Sequence, residues 1–248
     1  MIGIFPFGQE VQKVEQDDRL PKKTFVLGVY ASAVHARWVN LEGKTIVKAL
    51  AVASEPYIFW RGENAEEIIN GIQFPPQLGK LVAAEKQFNG PSGIALDDLI
   101  LKPLGLTREN TWLCDLVPYS CMNSSQQKAL EREYYPIAEK YGLPLPSAPK
   151  VPNKLSDKER RRTILEELEE SGAEELILLG DKPIQWFLRY FDERWKRLSD
   201  FHPYGKRHIT EIAGKKYRVL PLAHPRQIAK LGRSTRKWFE LHRDWLDS

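Results

Sequence analysis

Val219-Leu220-Pro221-Leu222-Ala223-His224-Pro225-Arg226-Gln227-Ile228-Ala229-Lys230 is an apolar run that ends at a His-Pro turn and passes at once into a basic segment. A buried strand that stops this way delivers an imidazole to the mouth of a cleft, with cationic side chains behind it. The alternative is an ordinary strand end, a proline turn and a solvated basic helix, because a dipeptide alone carries little specificity. The rest of the chain decides how the segment is read.

Three other runs have the same character. Thr24-Phe25-Val26-Leu27-Gly28-Val29-Tyr30, Thr111-Trp112-Leu113-Cys114-Asp115-Leu116-Val117 and Glu175-Leu176-Ile177-Leu178-Leu179 are short, apolar on both sides of the chain and stopped by small residues or proline. Such runs fit strands covered on both faces. Helical segments separate them. Ser156-Asp157-Lys158-Glu159 reads as a capping box that opens a helix from Ser156 to Ser171, closed at Gly172. Lys182-Pro183 places proline in the first turn of another helix, where its missing N–H costs nothing. Residues 208–212 and 215–220 flank Ala213-Gly214 as a hairpin, and a last helix is expected from about Ser234 to Trp245. Strands alternating with helices imply an α/β fold with a parallel sheet, whose strand carboxyl ends gather loops into a cleft. Those loops follow Tyr30, Asp115, Gly180 and Leu222. The Pro- and Gly-rich stretch between 71 and 93 reads as an ordered connection, so residues 1–248 are expected to form one domain.

Composition narrows the classes further. With 42% hydrophobic and 28% charged residues, the chain matches neither disordered nor collagen-like sequences. No apolar stretch approaches the ~20 residues of a membrane span, and the start lacks a secretion signal, so an intracellular protein without a membrane partner is expected. Cys114 and Cys121 cannot build a four-thiolate centre or a disulfide framework; free thiols and no metal or cofactor are expected. The net charge is +4, but residues 201–248 alone carry +7 and the remainder about −3. That concentration of positive charge around the His-Pro turn suits a phosphate-bearing partner, or else a solvated basic helix.

Taken in order, Gly28-Val29-Tyr30-Ala31-Ser32-Ala33, Gly90-Pro91-Ser92-Gly93, Trp112-Leu113-Cys114-Asp115-Leu116-Val117-Pro118, Leu176-Ile177-Leu178-Leu179-Gly180-Asp181 and Leu220-Pro221-Leu222-Ala223-His224-Pro225 resemble the uracil-DNA glycosylase superfamily. The resemblance implies a three-layer α/β/α sandwich with a central four-stranded parallel sheet. It also implies DNA as the partner, a monomer, and hydrolysis of the bond between an altered base and its sugar after the nucleotide is flipped into a pocket. His224 would then donate to the leaving base, and Arg226, Lys230, Arg233 and Arg236 would hold phosphates. Ile228 falls at the position of the wedge inserted into the base stack. Its alternative role is a hydrophobic staple for the following helix.

The resemblance fails at two points. Members usually carry an acid or Asn in the loop after the first strand, whereas this loop offers Tyr30, Ser32 and His35. His35 is a candidate to position water near neutral pH, or a surface histidine. Asp115 stands where an Asn usually reads uracil. An ionised carboxylate only accepts hydrogen bonds, so Asp115 reads either as a selector of an amino-bearing base or as a cap at the strand end. Tyr119 is a candidate stacking surface. A nucleic-acid-binding module that has lost hydrolysis, and an enzyme acting on free nucleosides, remain as competing readings.

Overall fold

The computed structural model describes residues 1–231 and 236–248. Its strands are β1 (Thr24–Tyr30), β2 (Ala33–Val39), β3 (Thr45–Ser54), β4 (Lys80–Ala83), β5 (Thr111–Val117), β6 (Glu175–Leu179), β7 (His208–Ile212) and β8 (Lys215–Leu222). The helices are α1 (Ala65–Asn70), α2 (Pro91–Leu96), α3 (Ser124–Ala129), α4 (Tyr135–Tyr141), α5 (Lys158–Glu170), α6 (Asp181–Trp186), α7 (Pro225–Ile228) and α8 (Arg236–Leu246).

The main sheet runs β5-β1-β6-β8-β7 and is flanked by helices. Its first four strands are parallel, as the four apolar runs imply, and β7 adds an antiparallel edge as the first arm of the hairpin. The expected four-stranded sheet is therefore a five-stranded one. Phe25, Val26, Leu27, Leu176, Ile177, Leu178, Leu179, Val219, Leu220 and Leu222 are all fully buried, which explains why these strands show no alternation of polar and apolar residues. Pro221 sits in β8 without cost. It pairs with Leu178 on the β6 side, while β7 reaches only as far as Val219 on the other.

A second sheet, β3-β2-β4, is antiparallel and was not expected. It has its own core of Val34, Ala36, Trp38, Val52 and Trp60 with Tyr134. The segment from Ala33 to His35, read from the sequence as a loop, is the start of β2. The last β2–β3 pair is Ala33 with Ser54, which brings the end of β3 against the loop leaving β1.

Local signals shifted by a residue or two. Asp157 rather than Ser156 caps α5, accepting from the Arg160 amide at 2.8 Å, because Ser156 is buried and turned inward. Gly172 takes the left-handed conformation that ends the helix, φ +66°. The start of α8 expected at Ser234 lies outside the described residues. Both cysteines are free and buried. Among the described residues, no helix is long and apolar enough to cross a membrane.

Candidate active site

The carboxyl ends of β1, β5, β6 and β8 open into one cleft of about 910 Å³, and the second sheet walls its other side. His224, His35, Ser32, Tyr30, Asp115, Arg226 and Lys230 all line it. Tyr119, Ile228 and Arg236 do not, and Arg233 lies outside the described residues.

His224 is both the end of β8's connection and the N-cap of α7. Its Nδ1 accepts from the Arg226 amide at 3.2 Å, and its own amide donates to Gln227 Oε1 at 3.1 Å. This reciprocal cap fixes the tautomer. With Nδ1 used as acceptor, the proton sits on Nε2, so the ring offers the cleft a neutral N–H donor. Burial, and then the positive charge of Arg226, push its pKa down to about 4. Gly180 makes the close approach possible, since a Cβ there would lie 3.3 Å from the His224 Cβ.

A buried brace holds this arm from behind. The Tyr204 hydroxyl accepts from the Ala223 amide at 3.0 Å and donates to His242 Nδ1 at 2.7 Å, while His242 Nε2 donates to the Leu99 carbonyl at 2.8 Å. The chain thus links α8 to the residue before His224.

Asp115 is in the middle of β5, 3% exposed, so it is not a cap at a strand end. Its carboxyl lies against the bare Cα of Gly28; a Cβ at Gly28 would come within 2.2 Å of Asp115 Oδ1. Arg160 organises the backbone around it, donating to the carbonyls of Asp115 (2.6 Å) and Leu116 (3.1 Å) and to Glu167 (3.0 Å). Burial pushes the Asp115 carboxyl up to about 7, against the pull of Arg160 and the Val29 amide. At neutral pH it is therefore partly protonated, and a carboxylic acid offers a donor and an acceptor together, as an amide does.

The geometry gives His35, Ile228 and Tyr119 surroundings other than a ligand-facing role requires, and it locates Arg236 and Lys230. His35 is on β2, with Nδ1 donating to the Ala33 carbonyl at 2.9 Å and Nε2 accepting from Gln126 at 3.3 Å. Asn89 clamps its backbone from both sides, at 2.8 and 2.9 Å. Both ring nitrogens are occupied and burial pushes the pKa down to about 4, so His35 is a wall of the cleft rather than a base for water. Ile228 is 2% exposed in the main core, because the single turn of α7 rotates it inward. With His224 as the cap, Ala223 and Ile228 occupy the staple positions, and within this segment it is Leu231 that presents an apolar side chain to the cleft. Tyr119 packs against the cores instead of facing the cleft. Arg236 is exposed on α8 and ion-paired with Glu240 at 2.8 Å. Lys230 places its ammonium 3.8 Å above the Phe239 ring.

One residue of the cleft was invisible in the sequence reading. Glu55, the residue after β3, is 3% exposed and lines the cleft, and its Oε2 has no hydrogen-bond partner among the described residues. Burial, then the neighbouring Asp115, push its carboxyl up to about 8, while the Ser32 and Trp60 amides draw it back. The available signal was a lone acid inside Ala49-Leu50-Ala51-Val52-Ala53-Ser54-Glu55-Pro56-Tyr57-Ile58-Phe59-Trp60.

The family model of the uracil DNA glycosylase superfamily matches residues 62–245, well over half of the chain. The chain belongs to the uracil DNA glycosylase superfamily. Among curated proteins, none matches it. The superfamily match takes in Asp115, His224 and Arg226, whereas Gly28, Tyr30, Ser32, His35 and Glu55 come before its first residue. No three His, Cys, Asp or Glu side chains are gathered as a metal ion would require among the described residues.

Proposed function

We propose that the protein is a DNA glycosylase that flips an altered base into the cleft and hydrolyses its bond to the sugar. The observation that carries this reading is His224, held by the Arg226 amide as a neutral Nε2–H donor at the cleft wall. As the glycosidic bond breaks, negative charge gathers on the base and its carbonyl oxygen. A preorganised donor aimed there contributes ~3 kcal/mol to lowering the barrier. A neutral donor suits the task, because it needs no proton from solvent at neutral pH.

Asp115 faces the same space and reads the base edge. Partly protonated, it pairs with the N–H and carbonyl of a uracil-like edge; ionised, it accepts from an exocyclic amine. Arg226 and Lys230 flank the mouth and supply phosphate contacts that offset the few kcal/mol of unstacking.

The test is release of free base from oligonucleotides carrying uracil, deaminated purines or modified cytosines, single- and double-stranded. Release by the unaltered protein and a 10²–10³-fold loss in His224→Ala are expected. No release from any substrate refutes the reading. The loop from Tyr30 to Ala33, which holds no acid, favours a second reading: a binding module that keeps the pocket without hydrolysis. Salt-dependent DNA binding with no base released would establish it.

A further inference from the structure

We propose that Glu55 is the carboxylate that faces the sugar in this cleft, delivered by the second sheet instead of by the loop after β1. The assignment rests on the glycosylase reading above.

Register is the first argument. Ala33 pairs with Ser54 at the end of the antiparallel β2–β3 ladder, so one step beyond that pair Glu55 stands opposite Ser32. The Ser32 amide lies close enough to the Glu55 carboxyl to draw its pKa down. A side chain that follows β3 therefore occupies the place that a residue of the Tyr30–Ala33 loop would otherwise fill. Burial is the second argument. A carboxyl almost removed from water, with one oxygen unpartnered among the described residues, lowers stability, and its position on the cleft wall marks it as a functional group. The third is division of labour. Asp115 lies over Gly28 on the β5 side, Asp181 accepts from the Leu198 amide and His224 serves the leaving base, which leaves Glu55 as the cleft carboxyl with an oxygen unpartnered among the described residues.

The step balances with these groups alone. The C1′–N bond breaks and its electron pair passes to the base, whose carbonyl accepts from His224 Nε2–H. Negative charge on Glu55 stabilises the cationic sugar. A water oxygen bonds to C1′ and gives one proton to the Glu55 carboxylate, and that proton then neutralises the departed base. The products are the free base and an abasic sugar.

Glu55 must be ionised to act. The charged groups that act on it are Asp115 on β5 and Arg108 ahead of β5; Tyr30, His35, Cys121, Asp181, Lys182, His224, Arg226 and Lys230 line the same cleft. Of these, Asp115 opposes its ionisation and Arg108 favours it. With an amino-bearing base, which Asp115 reads when ionised, the release rate should therefore climb with pH below the titration of Glu55 and level off above it, whereas with a uracil-like base the ionisation of Asp115 should bring a fall above about 7.

The experiment measures single-turnover base release between pH 5.5 and 9 for the unaltered protein, Glu55→Gln and Glu55→Asp. Binding to a duplex containing a tetrahydrofuran abasic analogue and thermal melting are measured on the same samples. Expected are a rising pH limb in the unaltered protein, a loss of at least 100-fold in Glu55→Gln with the limb flattened, and a partial rate with the limb retained in Glu55→Asp. Affinity for the analogue should stay within about threefold, and Glu55→Gln should melt no lower than the unaltered protein at pH 8.5, because a buried charge has been removed. Release by Glu55→Gln within threefold of the unaltered protein overturns the assignment and leaves the glycosylase reading standing. A flat profile in the unaltered protein, or a Glu55→Gln variant that loses rate, affinity and melting temperature together, also overturns it. No base released by the unaltered protein removes both.

Discussion

Replacing His224 by Asn should leave stability unchanged at pH 7.5 and raise it at pH 4.5. The folded ring resists a proton until about pH 4, because burial and Arg226 disfavour the imidazolium, whereas the unfolded histidine takes one near 6.5. A folded pKa depressed in this way contributes stability that is complete above 6.5 and is lost as the pH falls toward 4. The full displacement corresponds to ~3 kcal/mol. His224 is half-buried, so cleft water screens part of it, and about 2 kcal/mol remains. Asparagine keeps an acceptor for the Arg226 amide and is itself a favoured cap, but has nothing to titrate. His35 shares the downward displacement and is present in both proteins, so it drops out of the difference. Thermal melts of the two proteins at pH 7.5, 5.5 and 4.5 should coincide at the first and separate by ~4–8 °C at the last, with the His224→Asn variant the more stable there. A gap that stays constant with pH would refute the argument. His224→Ala separates the two contributions, since it loses the cap, about 1 kcal/mol, at every pH.

Gly28→Ala should destabilise by ~1–3 kcal/mol, because the added methyl would meet Asp115 Oδ1 at 2.2 Å and Phe59 Cζ at 2.7 Å; urea denaturation measures it, and a neutral result would mean that Asp115 does not press on β1. Binding of the protein to duplex DNA should weaken steeply with salt, and Arg226→Ala and Lys230→Ala should each lower the slope of log affinity against log salt by about one. An unchanged slope in fluorescence-anisotropy titrations would remove either residue from the phosphate contacts.

The parallel strands were legible because burial on both faces leaves an uninterrupted apolar run, as in Leu176 to Leu179. The second sheet was not. In β2 the buried Val34, Ala36 and Trp38 alternate with His35 and Arg37, but Ala33 and Val39 are buried too, and the short run follows β1 so closely that it reads as a loop. His224 was legible because strand, turn and basic segment are contiguous, and the cap that sets its tautomer lies within three residues. Of the two roles weighed for Ile228, wedge or staple, the turn of α7 sets the staple, which counting along the chain could not decide. For Glu55 the contiguous signal, a lone acid in an apolar stretch, does not say which site the acid faces. Its meaning depends on the pairing of Ala33 with Ser54, which is a property of two strands together.

The brace formed by Tyr204, His242 and the Leu99 carbonyl has a mechanical consequence. The tether joins α8 to the Ala223 amide through one phenol and one imidazole in direct contact. A force applied to α8, which carries the exposed Arg236, Lys237 and Arg243, is transmitted to the peptide next to His224. Gripping a phosphate backbone with that helix would load the same rigid linkage that aims the imidazole, so that hold on the strand and aim at the base act in series.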